Sequence, residues 1–183
     1  MWTKLIGTPE WNAAQLHYSH PDRHYHNISH INRMYDIAAF VKLQYDEDLD
    51  RAILRHDVIY DNQPKKEKRS AEWLDGTEFE ASQKTKDLIM STETHELGND
   101  NRLIFLDLYD LSYEKFYLKN RELVKLEAIA LYDISEEEFY VQNSKFMLEL
   151  ANRIENSLFR IDQCDRYVYE EIISNIRYIS KES

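Results

Sequence analysis

Helix breakers are almost absent from this chain. Its 183 residues hold three glycines and three prolines. No stretch shows the sustained apolar–polar alternation of a half-buried strand, whereas apolar residues at helical spacing recur throughout. The expectation is an all-α, single-domain helical bundle of seven to nine helices over residues 1–183. Its core would lie at about 11–130 and a C-terminal helical extension at about 131–183. Thr8-Pro9-Glu10 reads as an N-cap, a proline in the first helical turn and a first-turn acid. A second helix is expected from about His26–Ser29 to Gln44, with Ile31, Met34, Tyr35, Ile37, Ala38 and Val41 at helical spacing. A third starts near Asp46–Asp50 and carries His56-Asp57. Further helices are expected at about 67–74, ended by Gly76, at 81–92, through Leu103–Leu108, and at 114–132. Ser135-Glu136-Glu137-Glu138 is a capping-box signature for a helix to about Ile154. The last helix, at 166–179, would turn Tyr167, Ile172, Ile173, Ile176 and Ile179 inward.

The formal net charge is −11. That argues against binding a nucleic-acid duplex, which needs a basic face. It leaves room for a small anionic substrate if the site itself carries a cation. Cys164 is the only cysteine, so no internal disulfide forms, and a reducing, cytoplasmic setting is expected. No basic region followed by an apolar run opens the chain, and no stretch approaches the roughly 18 apolar residues of a spanning helix, so no membrane association is expected.

Within the helical pattern, Arg55-His56-Asp57 stands out. Ala52, Ile53, Leu54, Val58 and Ile59 surround it with apolar side chains. On a helix, His56 and Asp57 lie about 100° apart and can lean toward one point. A buried imidazole and carboxylate need partners, and a metal ion satisfies both. Five of the seven histidines fall between positions 17 and 30. His17, His20 and His24 read as a hydrated surface cluster. His26 and His30 are spaced i, i+4 and share a helix face. His30 also follows the apolar pattern and precedes His56-Asp57 by one helix hairpin. Phe105-Leu106-Asp107-Leu108 places a carboxylate in an apolar run, where Asp107 is either a cap or a ligand. Asp110 is its rival. Nitrogen and oxygen ligands of this kind suit one divalent transition metal (Mn, Co, Ni, Fe or Zn) more than calcium, with magnesium allowed.

The order His30, then His56-Asp57, then Asp107 on successive helices resembles the HD-domain metal-dependent phosphohydrolase superfamily. One branch of uncharacterised predicted hydrolases is most similar. The similarity covers roughly residues 11–125, through Tyr18-Ser19-His20-Pro21-Asp22-Arg23-His24-Tyr25-His26-Asn27-Ile28-Ser29-His30-Ile31, Arg55 to Asp61, Glu67-Lys68-Arg69-Ser70-Ala71, Ile89 to His95, and Leu106-Asp107-Leu108. The resemblance implies that His30, His56, Asp57 and Asp107 ligate the metal. Arg23 and His26 would hold a phosphate at the mouth, and Asp57 or Glu67 would accept the proton of the attacking water. Glu67, Ser70 and His95 occupy motif positions. His95 is expected beside the metal or on the substrate phosphate. Two departures stand out. Phe105 replaces the first acid of an Asp-x-Asp-Leu pattern. Tyr60 stands third after Asp57, where related nucleotidases use a glutamate. The tail from Tyr132 is expected to form a helical cover or an oligomer surface.

Lys65-Lys66-Glu67-Lys68-Arg69 is the only basic run. It is a solvated loop or a gate in which Lys66 and Arg69 draw in phosphate. Tyr25 and Tyr60 are the aromatics suited to stacking a base, though packing is their commoner use. The expected activity is hydrolysis of a small phosphate ester, above all a nucleotide. The alternatives are a metal-dependent hydrolase or lyase of a non-phosphate substrate, and a non-catalytic metal-binding module. Homo-oligomers are compatible with each.

Overall fold

The computed structural model of the protein describes Trp2 and residues 4–180. Among these residues there are nine α-helices, two short 3-10 turns and no strand, so the all-α expectation holds. The chain forms two compact units, Met1–Glu93 and Thr94–Ser183. Among the described residues no helix is long and apolar enough to cross a membrane.

The first unit contains α1 (Pro9–Tyr18), α2 (Ile28–Phe40), α3 (Glu47–Arg55), α4 (Lys66–Ala71) and α5 (Gln83–Ser91). Four of these helices begin where a short polar side chain takes an orphan backbone N–H of the first turn. Thr8 accepts from Trp11, Asn27 from Ser29, Asp46 from Asp48 and Leu49, and Ser82 from Thr85. At the centre is α3, which packs against α1, α2, α4 and α5. Its Leu49, Ala52, Ile53 and Leu54 have no exposed surface. Burying an aliphatic side chain of the size of leucine or isoleucine stabilises by roughly 1.5–3 kcal/mol. The frame for the residues that follow α3 is therefore rigid.

Several boundaries differ from the periodicity argument. The second helix stops at Phe40 rather than Gln44, because Lys42 turns left-handed at φ 56° and Leu43 N–H bonds back to Ala38 O at 2.9 Å. The α4 helix ends at Ala71, and turns lead to Gly76, whose φ of +77° suits a residue without Cβ.

The second unit contains α6 (Arg102–Leu108), a 3-10 turn at Tyr109–Ser112, α7 (Glu114–Tyr132), α8 (Glu136–Ser157), a 3-10 turn at Leu158–Arg160 and α9 (Gln163–Ile179). The capping box at Ser135 and Glu138 forms as expected. The α9 helix packs on α8 and on the first 3-10 turn. Ile172, Ile173, Ile176 and Ile179 point inward. Tyr167 does not: it is 66% exposed, and Tyr169 at 1% takes the inward place. Two positions along a helix are about 200° apart, so the two rings face nearly opposite ways.

Candidate metal centre

The α3 helix ends on Arg55, and His56 is its C-cap. The His56 N–H still donates to Ala52 O at 3.0 Å, but Val58 N–H bonds to Arg55 O at 3.0 Å, so the chain is already turning. The helical position expected for His56-Asp57 is thereby corrected: Asp57 lies in a turn beyond the helix. That turn brings its carboxylate back to the imidazole, with Asp57 Oδ2 at 3.0 Å from His56 Nε2.

Other groups converge on the same point. His30, on the first turn of α2, places Nε2 at 3.4 Å from His56 Nε2 and 3.9 Å from Asp57 Oδ2. His26 Nε2 is 4.0 Å from the same carboxylate oxygen. His26 precedes α2, so the i, i+4 argument fails for it, yet the two rings still meet with centroids 5.9 Å apart. His56 is 2% exposed and His30 7%. His56 Nδ1 lies 3.0 Å from Ile53 O. A carbonyl only accepts, so Nδ1 carries a proton, and Nε2 is the nitrogen that faces the cluster. Two imidazole nitrogens and the Asp57 carboxylate oxygen thus lie around one point, donors of the kind that suit a divalent transition metal. A backbone carbonyl fixing the tautomer of a ligand histidine is the usual support for such a site.

The backbone that carries these groups is gripped along its length. Tyr18 OH donates to Leu54 O at 2.8 Å. Arg23 donates through Nη1 to Asp57 O at 2.8 Å and through Nη2 to Val58 O at 3.0 Å. Ser70 Oγ accepts from Ile59 N–H at 3.1 Å and donates to Ile59 O at 3.3 Å. Arg23, expected at the mouth of the site, is instead buried at 7% exposure. Its guanidinium faces backbone carbonyls, including His26 O at 3.4 Å, and holds the His-Asp turn to the loop before α2.

The remaining candidates separate into two kinds. His26 stacks on Tyr60, with centroids 4.0 Å apart and planes 23° apart. Lys66 Nζ lies 4.1 Å from the same ring centre and 3.8 Å from Glu67. The Arg23 guanidinium carbon also lies 5.7 Å from that ring centre, so a base could stack on Tyr60 only by displacing one of these groups. Tyr25 sits against His26 and His30, at 4.8 and 4.9 Å, as a wall of the histidine cluster. Arg69 is committed elsewhere: it forks onto Asp61 at 2.9 and 2.5 Å and donates to Pro64 O and Gln63 O. The same guanidinium holds the Asp61 carboxyl below its usual range. Arg69 therefore shapes the loop rather than reaching out as a gate. His17, His20 and His24 are exposed.

In the second unit, His95 Nε2 is 3.0 Å from Asp107 Oδ2, both side chains being mostly buried. His95 holds a left-handed backbone, φ 53°, which is costly for a residue with Cβ and marks sites where a side chain must point one way. Asp107 lies on α6 and Asp110 in the 3-10 turn after it. The structure therefore groups His26, His30, His56 and Asp57 in the first unit, and His95 with Asp107 in the second.

The sequence pattern gives no role to Tyr18 or Glu10, and it marks Arg55 only through its place beside His56-Asp57. Glu10 reads as an ordinary first-turn acid, and nothing in its neighbours reveals that it is 2% exposed. Compared with protein-family models, curated proteins and solved structures, the chain matches none.

Proposed function

We propose that the protein is a metal-dependent phosphohydrolase of the HD type, acting on a small phosphate ester. The observation that carries this reading is the convergence of His30 Nε2, His56 Nε2 and Asp57 Oδ2 within 3.9 Å of one another, with His56 Nδ1 committed to Ile53 O. The donor set fits one divalent transition metal. His30, His56 and Asp57 would hold it. The contact between His95 and Asp107 supports a role for His95 in orienting that carboxylate.

A divalent ion bound there supplies Lewis acidity toward a phosphoryl oxygen and lowers the pKa of water. The chain's own groups do the rest. Asp57, 3.0 Å from His56 Nε2, accepts the proton of the attacking water. Glu67, on α4, is the second candidate for that role. His26 donates toward the phosphoryl oxygens, and the Lys66 ammonium adds positive charge beside it. Positioned donors of this sort act by stabilising charge that develops in the transition state. Arg23 passes from substrate group to positioning residue, because its guanidinium is directed to Asp57 O and Val58 O. A nucleotide remains the leading substrate class, recognised through its phosphate rather than by stacking on Tyr60.

The test is turnover. Purified protein loaded with Mn or Co is screened against nucleotides, sugar phosphates and other phosphate esters. Phosphate release that is abolished by Asp57→Ala and reduced roughly tenfold to a thousandfold by His26→Ala is expected. No release from any ester by the loaded protein would exclude the reading. Turnover confined to non-phosphate substrates would point to another metal-dependent hydrolase or lyase.

A further inference from the structure

Directly before His56 lies a buried charge that the chemistry above does not use. Arg55 has no exposed surface and Glu10 is 2% exposed. Arg55 Nε donates to Glu10 Oε1 at 2.7 Å, and Nη2 lies 2.6 Å from the same oxygen. Nη2 also donates to Phe79 O at 2.5 Å. The guanidinium carbon stands 6.0 Å from the Trp73 ring centre. Nη1 is buried without a hydrogen-bond partner. Arg51 also faces Glu10, with its Nε 3.6 Å from Oε2.

A pair this deep is a poor way to gain stability. Removing two charges from water costs about as much as their attraction returns, and apolar replacements of similar size are often neutral or stabilising. The missing partner at Nη1 adds to the cost. What the pair supplies is direction. A planar guanidinium can satisfy Glu10 and Phe79 O together in only a narrow range of positions. Arg55 is the last residue of α3, and the His56 ring is bonded to the same helical turn through Ile53 O.

We infer that Glu10 and Arg55 are positioning residues for the metal ligand His56: α1 holds the last turn of α3 through this ion pair and so sets where His56 Nε2 points. The inference rests on the metal reading for its purpose, but the geometry it asserts exists without metal. Ordinary core packing would predict a different result from the same variants.

The experiment uses the full chain in two forms, Glu10→Leu with Arg55→Met together, and Arg55→Lys alone. The double variant removes both charges and is expected to melt at or above the native temperature. Arg55→Lys keeps the charge compensated but loses the fork. In both, the Co(II) affinity read from the visible absorption titration should fall about 10- to 100-fold, the usual loss for a group supporting a metal ligand. Without metal, the imidazole nitrogen shifts of His56 should move away from those of the unaltered protein. If either variant folds and keeps both the native Co(II) affinity and the native His56 nitrogen shifts, the positioning role is overturned. If the unaltered protein binds no Co(II), the metal reading fails, and the metal-free His56 signal alone decides the role of the pair.

Discussion

Arg23 shows how a side chain can be functional without facing the substrate. It donates to the carbonyls of Asp57 and Val58, which no uncharged side chain of similar length would hold as firmly. Hydrogen bonds to a charged group contribute about 1.5–3 kcal/mol each. Arg23→Ala should therefore lower the unfolding free energy by roughly 2–4 kcal/mol, measured by urea denaturation, and weaken metal binding with it. An unchanged urea midpoint would show that the two carbonyls do not depend on this residue. Asp50 offers a test of the opposite kind. It has no exposed surface, and burial raises its carboxyl above the ordinary value of 3.8. The folded state thus binds that proton more tightly than the unfolded chain. Its contribution to stability is full below the ordinary carboxylate value and is lost as pH rises through the raised one. Asp50→Asn removes this loss. The melting-temperature difference between variant and parent should grow in the variant's favour from about pH 3 to 7. A difference that shrinks over that range would contradict the assignment.

Helix ends decided what could be read in advance. The starts of α1, α2 and α8 are written in Thr8-Pro9, Asn27 and Ser135, each a side chain that takes a first-turn N–H. Ser135→Ala should accordingly cost about 1 kcal/mol in unfolding free energy, and a cost near zero would mean that Glu138 alone holds that end. The C-terminal ends carry no such signature. Arg55, His56 and Asp57 all fit a helical pattern, yet α3 stops at Arg55 because side chains far along the sequence take carbonyls in its last turn and beyond it. Tyr18 and Arg23 reach Leu54, Asp57 and Val58. The candidate ligands were legible because a histidine-aspartate pair in an apolar run has few other uses. Their supports were not, because Glu10, Tyr18 and Ser70 are ordinary residues made special only by tertiary contact.

At the scale of the whole molecule, the formal net charge of −11 attracts divalent cations everywhere, so weak binding alone proves nothing. A specific site behaves differently: it stabilises the folded state in proportion to its affinity, by about 2.7 kcal/mol at a hundredfold excess over Kd. Mn or Co should raise the melting temperature of the parent, and His56→Ala should abolish that rise while leaving any general cation effect in place. An equal rise in both proteins would assign the effect to the acidic surface. The most direct measurement is metal stoichiometry by elemental analysis, on protein reconstituted in turn with Mn, Co, Ni, Fe and Zn. The parent should retain about one ion per chain after buffer exchange. His30→Ala, His56→Ala and Asp57→Ala should retain only traces while keeping a native helical circular dichroism spectrum. Trace occupancy in the parent with every metal, or an ion kept by all three folded variants, would contradict the account.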